Sequence, residues 1–104
     1  MEVKEGFKVL MLITYDVNTE DPAGKKRLRK VAKQCQNYGQ RVQNSVFECV
    51  VDNAMAKRLK HTLENIIDAD KDSLRFYNLG SNYKNKVEHI GVKPSIDVDD
   101  AFIM

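Results

Sequence analysis

The chain has 104 residues and a mass of 11.9 kDa, the size of one domain, which excludes a two-domain enzyme. With 42% hydrophobic and 31% charged residues, it is apolar enough for a core and polar enough for a soluble globular domain, which argues against both disorder and a membrane span. Lys plus Arg number 17 against 15 Asp plus Glu, and the formal charge of +2 is too small to name a polyanionic partner. A domain this small buries only about two-thirds of its unfolded surface. Little interior is left for a cofactor, so an active site should be shallow or shared with a second copy.

The longest apolar run, Val9 to Ile13, is far below the roughly 18 residues of a membrane span, and the first six residues lack a signal-peptide pattern. A cytoplasmic protein with no membrane partner is expected. Cys35 and Cys49 form no C-x-x-C pair and lie near no histidine at zinc-ligand spacing, so they read as reduced structural thiols. His61 and His89 are isolated and read as surface or packing residues.

In chain order, Lys8 to Val17 is apolar and rich in β-formers, and predicts a strand buried on both faces with Asp16 at its C-terminal end. Asn18 to Gly24 gathers turn formers and predicts a loop. From Lys25 to Tyr38, Leu28, Val31, Ala32 and Cys35 recur at helical spacing, and Gly39 stands where a helix C-terminal glycine belongs. Gln40 to Asp52 predicts two short strands turning at Asn44-Ser45. Asn53 suits an N-cap for a second helix with Met55, Leu59, Leu63 and Ile66 along one face. Ser73 to Leu79 alternates as a strand closed by Gly80, and Val87 to Ile90 predicts one more short strand.

The order is β-α-β-β-α-β with an additional C-terminal strand, an α+β ferredoxin-like arrangement. The predicted domain covers residues 1–90, with 16 basic against 12 acidic residues. Residues 91–104 form a separate tail, acidic at Asp97, Asp99 and Asp100 and apolar from Ala101 to Met104, suited to an interface or to docking on a partner.

Two features look chemical. Asp16 ends the most hydrophobic strand, a place where carboxylates hold hard cations such as magnesium. One aspartate makes a poor metal site, but two copies related by a two-fold axis would supply a facing pair and a phosphodiesterase centre. The plainer reading, that Asp16 only opens the following loop as a turn residue, stands beside it. The second feature is the run Lys25, Lys26, Arg27, Arg29, Lys30 and Lys33, with no acidic partner on its own helix. It suits backbone phosphates and predicts salt-sensitive, sequence-independent affinity, the alternative being a solvated helix face. Tyr15, Phe47, Phe76 and Tyr77 read as core or interface residues, and no RNP1 aromatic string of an RNA-recognition fold occurs.

The strand L-M-L-I-T-Y-D-V, the helix R-L-R-K-V-A-K ending in N-Y-G, and the segment R-V-Q-N-S-V-F-E-C together closely resemble the Cas-two family, small CRISPR-associated nucleases of spacer acquisition. The resemblance runs from Lys8 to S-L-R-F-Y-N-L, and K-V-E-H-I-G-V-K-P-S-I-D looks like the tail of a type I-C-like branch. It implies a ferredoxin-like homodimer whose last strand crosses to the neighbouring sheet. Asp16, after Tyr15, matches the family aspartate that binds magnesium, or manganese, with its symmetry mate. Lys26, Arg27, Arg29, Lys30, Lys33 and Arg41 become the expected nucleic-acid contacts, and Tyr15, Ser45 and Phe47 the supporting residues, with Arg41, Ser45 and Phe47 matching R-x-Q-x-S-V-F near the acidic pair. The implied substrates are double-stranded DNA and single-stranded RNA, and the implied partner is the CRISPR integrase, for which the dimer can also serve as a non-catalytic DNA scaffold. No histidine, glutamate or lysine stands at motif spacing to act as general base, so cleavage is expected to be slow and wholly metal-dependent.

Overall fold

The computed structural model describes residues 7–92. Four strands, β1 (Val9–Asp16), β2 (Gly39–Gln43), β3 (Val46–Val51) and β4 (Ser73–Asn78), form an antiparallel sheet in the order β2-β3-β1-β4. Helices α1 (Pro22–Gln36) and α2 (Asn53–Ile66) connect β1 to β2 and β3 to β4 and pack on one face, which is the ferredoxin-like α+β arrangement.

β1 is central because its odd-numbered side chains are apolar throughout. Met11, Ile13, Tyr15 and Val17 are buried beneath the helices, where they meet Phe47, Cys49 and Val51 of β3, Val31, Ala32 and Cys35 of α1, and Leu59 and Leu63 of α2. Each large side chain buried there contributes about 1.5–3 kcal/mol. The two thiols sit in this core as free cysteines, and burial pushes Cys35 up to about 12 and Cys49 to about 11. They are therefore protonated and unreactive at neutral pH.

The even-numbered residues of β1 point to the other face, which no helix among the described residues covers. Leu12 pairs with Glu48 and Tyr77, and Thr14 with Val46 and Arg75. Val50 and Tyr77 are 37% and 38% exposed on that face. β1 is thus deeply buried on its helix side, whereas on the other side Leu10 is buried, Leu12 and Thr14 are half-covered and Asp16 is exposed, so burial on both faces, as expected, holds only at the start of the strand.

Several boundaries differ from expectation. α1 begins at Pro22, inside the predicted loop, because Asp21 caps it: Asp21 Oδ1 accepts from the Gly24 backbone N–H at 2.8 Å, and proline suits the first turn, where its missing N–H costs nothing. α2 is capped by Asp52, whose Oδ1 accepts from Met55 N–H at 2.8 Å, so Asn53 is the first helical residue and not the cap. Gly39 belongs to β2 and has no positive φ; it is glycine because a Cβ would lie 2.2 Å from the Glu48 carbonyl oxygen. Gly80, at φ +85°, does close β4 in a conformation that favours glycine.

Val87 to Ile90 does not form a strand within the chain. A turn marked by the Lys86 N–H to Tyr83 carbonyl bond at 3.0 Å leads into a segment that pairs with no strand, and Ile90 is 85% exposed. The segment is apolar enough for a sheet but meets no open edge of its own fold. The predicted docking of the tail falls mainly on residues 93–104, outside the described residues.

Candidate metal centre and basic surface

Asp16 is the last residue of β1, exposed and on the helix-free side, in register with Ser73 of β4. Its carboxylate has no hydrogen-bond or ion-pair partner among the described residues. Both oxygens are therefore open to a hard cation. No group of three or more His, Cys, Asp or Glu converges among the described residues, so magnesium held at Asp16 would complete its shell mainly with water and phosphate, as it commonly does.

Tyr15 points the opposite way, into the core. Its hydroxyl donates to the Asn44 carbonyl at 3.4 Å, its ring stacks on Phe47 at 6.2 Å, and burial raises it to about 12. The Arg41 guanidinium lies 5.3 Å from the Phe47 ring centroid, and the Tyr15 backbone N–H donates to the Ser45 carbonyl at 3.1 Å. The structure brings the Tyr15, Arg41 and Phe47 side chains together on the helix side of the sheet, with Ser45 joined to Tyr15 through its backbone carbonyl. They anchor the strand that carries Asp16 and do not face its carboxylate.

The network that holds the segment after Asp16 was not visible in the sequence. Asp72, whose side chain is fully buried, accepts from Arg27 Nε at 2.7 Å and Nη2 at 3.2 Å, from the Asn18 N–H at 3.0 Å and from the Asp68 N–H at 2.8 Å. The Arg27 guanidinium, outweighing the effect of burial, holds the Asp72 carboxyl down at about 2. Asn18 in turn accepts from the Glu20 N–H at 2.9 Å through its side chain, and Gly24 lies so close that a Cβ would stand 1.9 Å from the Asn18 carbonyl oxygen. One carboxylate thus ties α1, the β1–α1 loop and the α2–β4 loop together next to Asp16 and Ser73.

This changes the reading of the basic run. All six cations lie within α1, but Arg27 has an acidic partner after all, supplied from 45 residues away, and only 16% of its side chain is exposed. Lys25, Lys26, Arg29, Lys30 and Lys33 are exposed. Arg27 and Arg29 stand roughly 200° apart around the helix, so the one that folds inward leaves the other facing out. Arg41 lies on β2, half-buried over Phe47.

The fold and site define a class: a small ferredoxin-like α+β protein with an exposed aspartate at the end of its central strand and a cationic first helix. The family model for CRISPR associated protein Cas2 matches residues 9–87. The chain belongs to this family. It is 66% identical over 95 residues to the CRISPR-associated endonuclease Cas2 of Halalkalibacterium halodurans, covering 91% of this chain and 99% of that protein. It is 58% identical over 96 residues to the CRISPR-associated endoribonuclease Cas2 of Nitratidesulfovibrio vulgaris, covering 92% and 94%. The crystal structure of Streptococcus pyogenes Cas2 superposes with a TM-score of 0.70 at 61% identity, over 79% of this chain and 99% of that one.

Proposed function

We propose that the chain is a magnesium-dependent endonuclease of CRISPR adaptation that works as a homodimer and hydrolyses phosphodiester bonds of double-stranded DNA or single-stranded RNA between two Asp16 carboxylates. The observation that carries this reading is Asp16 itself, exposed, unpartnered among the described residues and fixed at the end of a rigid central strand. The helix-free face supports the dimer: Leu12, Val46, Val50 and Tyr77 give one side of the sheet an apolar surface that a second copy would cover. A bound magnesium or manganese ion supplies charge stabilisation at the phosphate and acidifies a water.

The chain's own residues do the rest. The two Asp16 carboxylates would hold the cation, and the Asp72 network fixes the segments that flank each of them. The exposed cations of α1, Lys26, Arg29, Lys30 and Lys33, hold the backbone of the substrate. The names of the relatives, endonuclease and endoribonuclease, support hydrolysis and leave both substrates in the reading. The integrase as partner, the type I-C-like branch and a cytoplasmic location belong to the same reading. No helix among the described residues is long and apolar enough to cross a membrane.

One observation favours a second reading, a non-catalytic dimeric scaffold that holds DNA for the integrase. The cations of α1 lie in the helix layer and Asp16 on the opposite side of the sheet, so binding does not require the carboxylates. Duplex binding and duplex cleavage by wild-type and Asp16→Asn protein across magnesium concentration separate the two. A nuclease loses cleavage and keeps binding in the variant, whereas a scaffold binds in both and cuts in neither.

A further inference from the structure

Between the outward faces of α1 and α2 runs a groove of about 420 Å³. Lys30, Lys33 and Gln34 line one bank, and His61, Thr62 and Asn65 line the other. Its floor is Ile66, which packs against the core. The spacing explains the grouping, because residues three and four apart share a helix face.

None of these side chains is acidic, and neither lysine has an ion-pair partner among the described residues. Helix surfaces ordinarily offset such charges with Asp or Glu one turn away, yet α1 holds no acidic residue from Pro22 to Gln36. Glu64, the one acidic residue of α2, does not line the groove, so its lining carries the two lysine charges with no acidic side chain among them. The groove is also rich in neutral donors. His61 Nε2 and Asn65 Nδ2 are 3.2 Å apart; with the amide donating, the imidazole proton sits on Nδ1 and adds a donor to those of Gln34 and Thr62.

We propose that this interhelical groove is a phosphate subsite for a nucleic-acid backbone, in which α2 contributes His61, Thr62 and Asn65 beside the lysines of α1. The choice of nucleic acid over a small anion rests on the proposed function and on shape. The groove is open, and Lys26, Lys30 and Lys33 continue it as a stripe about 10 Å long on α1, the axial length of about three phosphates on one strand. The subsite lies in the helix layer, across the sheet from Asp16, so it holds a strand without touching the cleavage centre.

The test is fluorescence anisotropy of a labelled mixed-sequence duplex DNA, and of a single-stranded RNA of equal length, against salt concentration. Lys30→Ala/Lys33→Ala should flatten the slope of log affinity on log salt by about 1.8 for duplex DNA, or about 1.4 for single-stranded RNA, two phosphate contacts at about 0.9 or 0.7 each. Thr62→Asp should weaken binding at least about tenfold at moderate salt, by setting a carboxylate against the phosphate. Lys57→Ala/Lys60→Ala, at lysines that line a separate cavity with Val9, Met11 and Val51, should change both quantities less. The ligand whose slope responds is the one the groove takes. Wild-type affinity and slope in the double-alanine protein would overturn the subsite, as would an equal loss in the Lys57/Lys60 control. Cleavage is read separately, in wild-type and Asp16→Asn protein, so failure of the nuclease reading appears in cleavage and failure of the groove appears in binding.

Discussion

Arg27 Nε lies 2.7 Å from Asp72 Oδ2, and through this contact the basic helix α1 is fastened to the loop that enters β4, one residue before the Ser73 that pairs with Asp16. The same carboxylate accepts the Asn18 N–H two residues beyond Asp16. The ion pair therefore fixes the two segments that flank the candidate metal ligand.

A pH dependence follows. Asp72 is held at about 2 in the fold against an ordinary carboxyl value of 3.8, so its contribution is fully present above about pH 4 and is lost as pH falls toward 2. Thermal melts should show Asp72→Asn less stable than wild type at pH 7, with the gap closing between pH 4 and 2. A gap of constant size across that range would contradict the assignment.

The two arginines should separate. Arg29→Glu is expected to weaken nucleic-acid binding steeply while leaving the melting temperature nearly unchanged, because Arg29 is exposed. Arg27→Glu should lower the melting temperature, since it sets a second carboxylate against the buried Asp72. Melting curves and binding isotherms on both variants check the split.

Gly24→Ala tests the loop behind Asp16. The added methyl would lie 1.9 Å from the Asn18 carbonyl oxygen, and the backbone must move to accept it. Urea denaturation should show a loss of about 1–3 kcal/mol, the usual cost of forcing atoms into a filled site.

Leu12 lies at the middle of the helix-free face, between Glu48 and Tyr77. Leu12→Asp should yield a folded monomer by sedimentation, and cleavage should fall with dimerisation. A stable dimer in this variant would place the interface elsewhere.

The parts legible in the sequence were those carried by local pattern. β1 and the Leu59–Leu63 face of α2 announce themselves because their apolar residues recur at the period of the element. The start of α1 was hidden because Asn18 to Asp21 are turn formers and the cap reads as part of the loop. Val87 to Ile90 has the composition of a strand, yet composition cannot say whether an edge is available. Asp16 was visible as a carboxylate at a strand end, whereas Asp72 was not, since its partners Arg27 and Asn18 lie 45 and 54 residues away and only the folded sheet brings them together.

The central claim is that one catalytic centre needs two Asp16 residues. Mixing wild-type and Asp16→Asn subunits at varying ratio, with exchange allowed to equilibrate, measures this directly through magnesium-dependent cleavage per total protein. A shared centre predicts activity that falls as the square of the wild-type fraction and vanishes in pure Asp16→Asn protein. A linear fall, or cleavage retained by the pure variant, would contradict it.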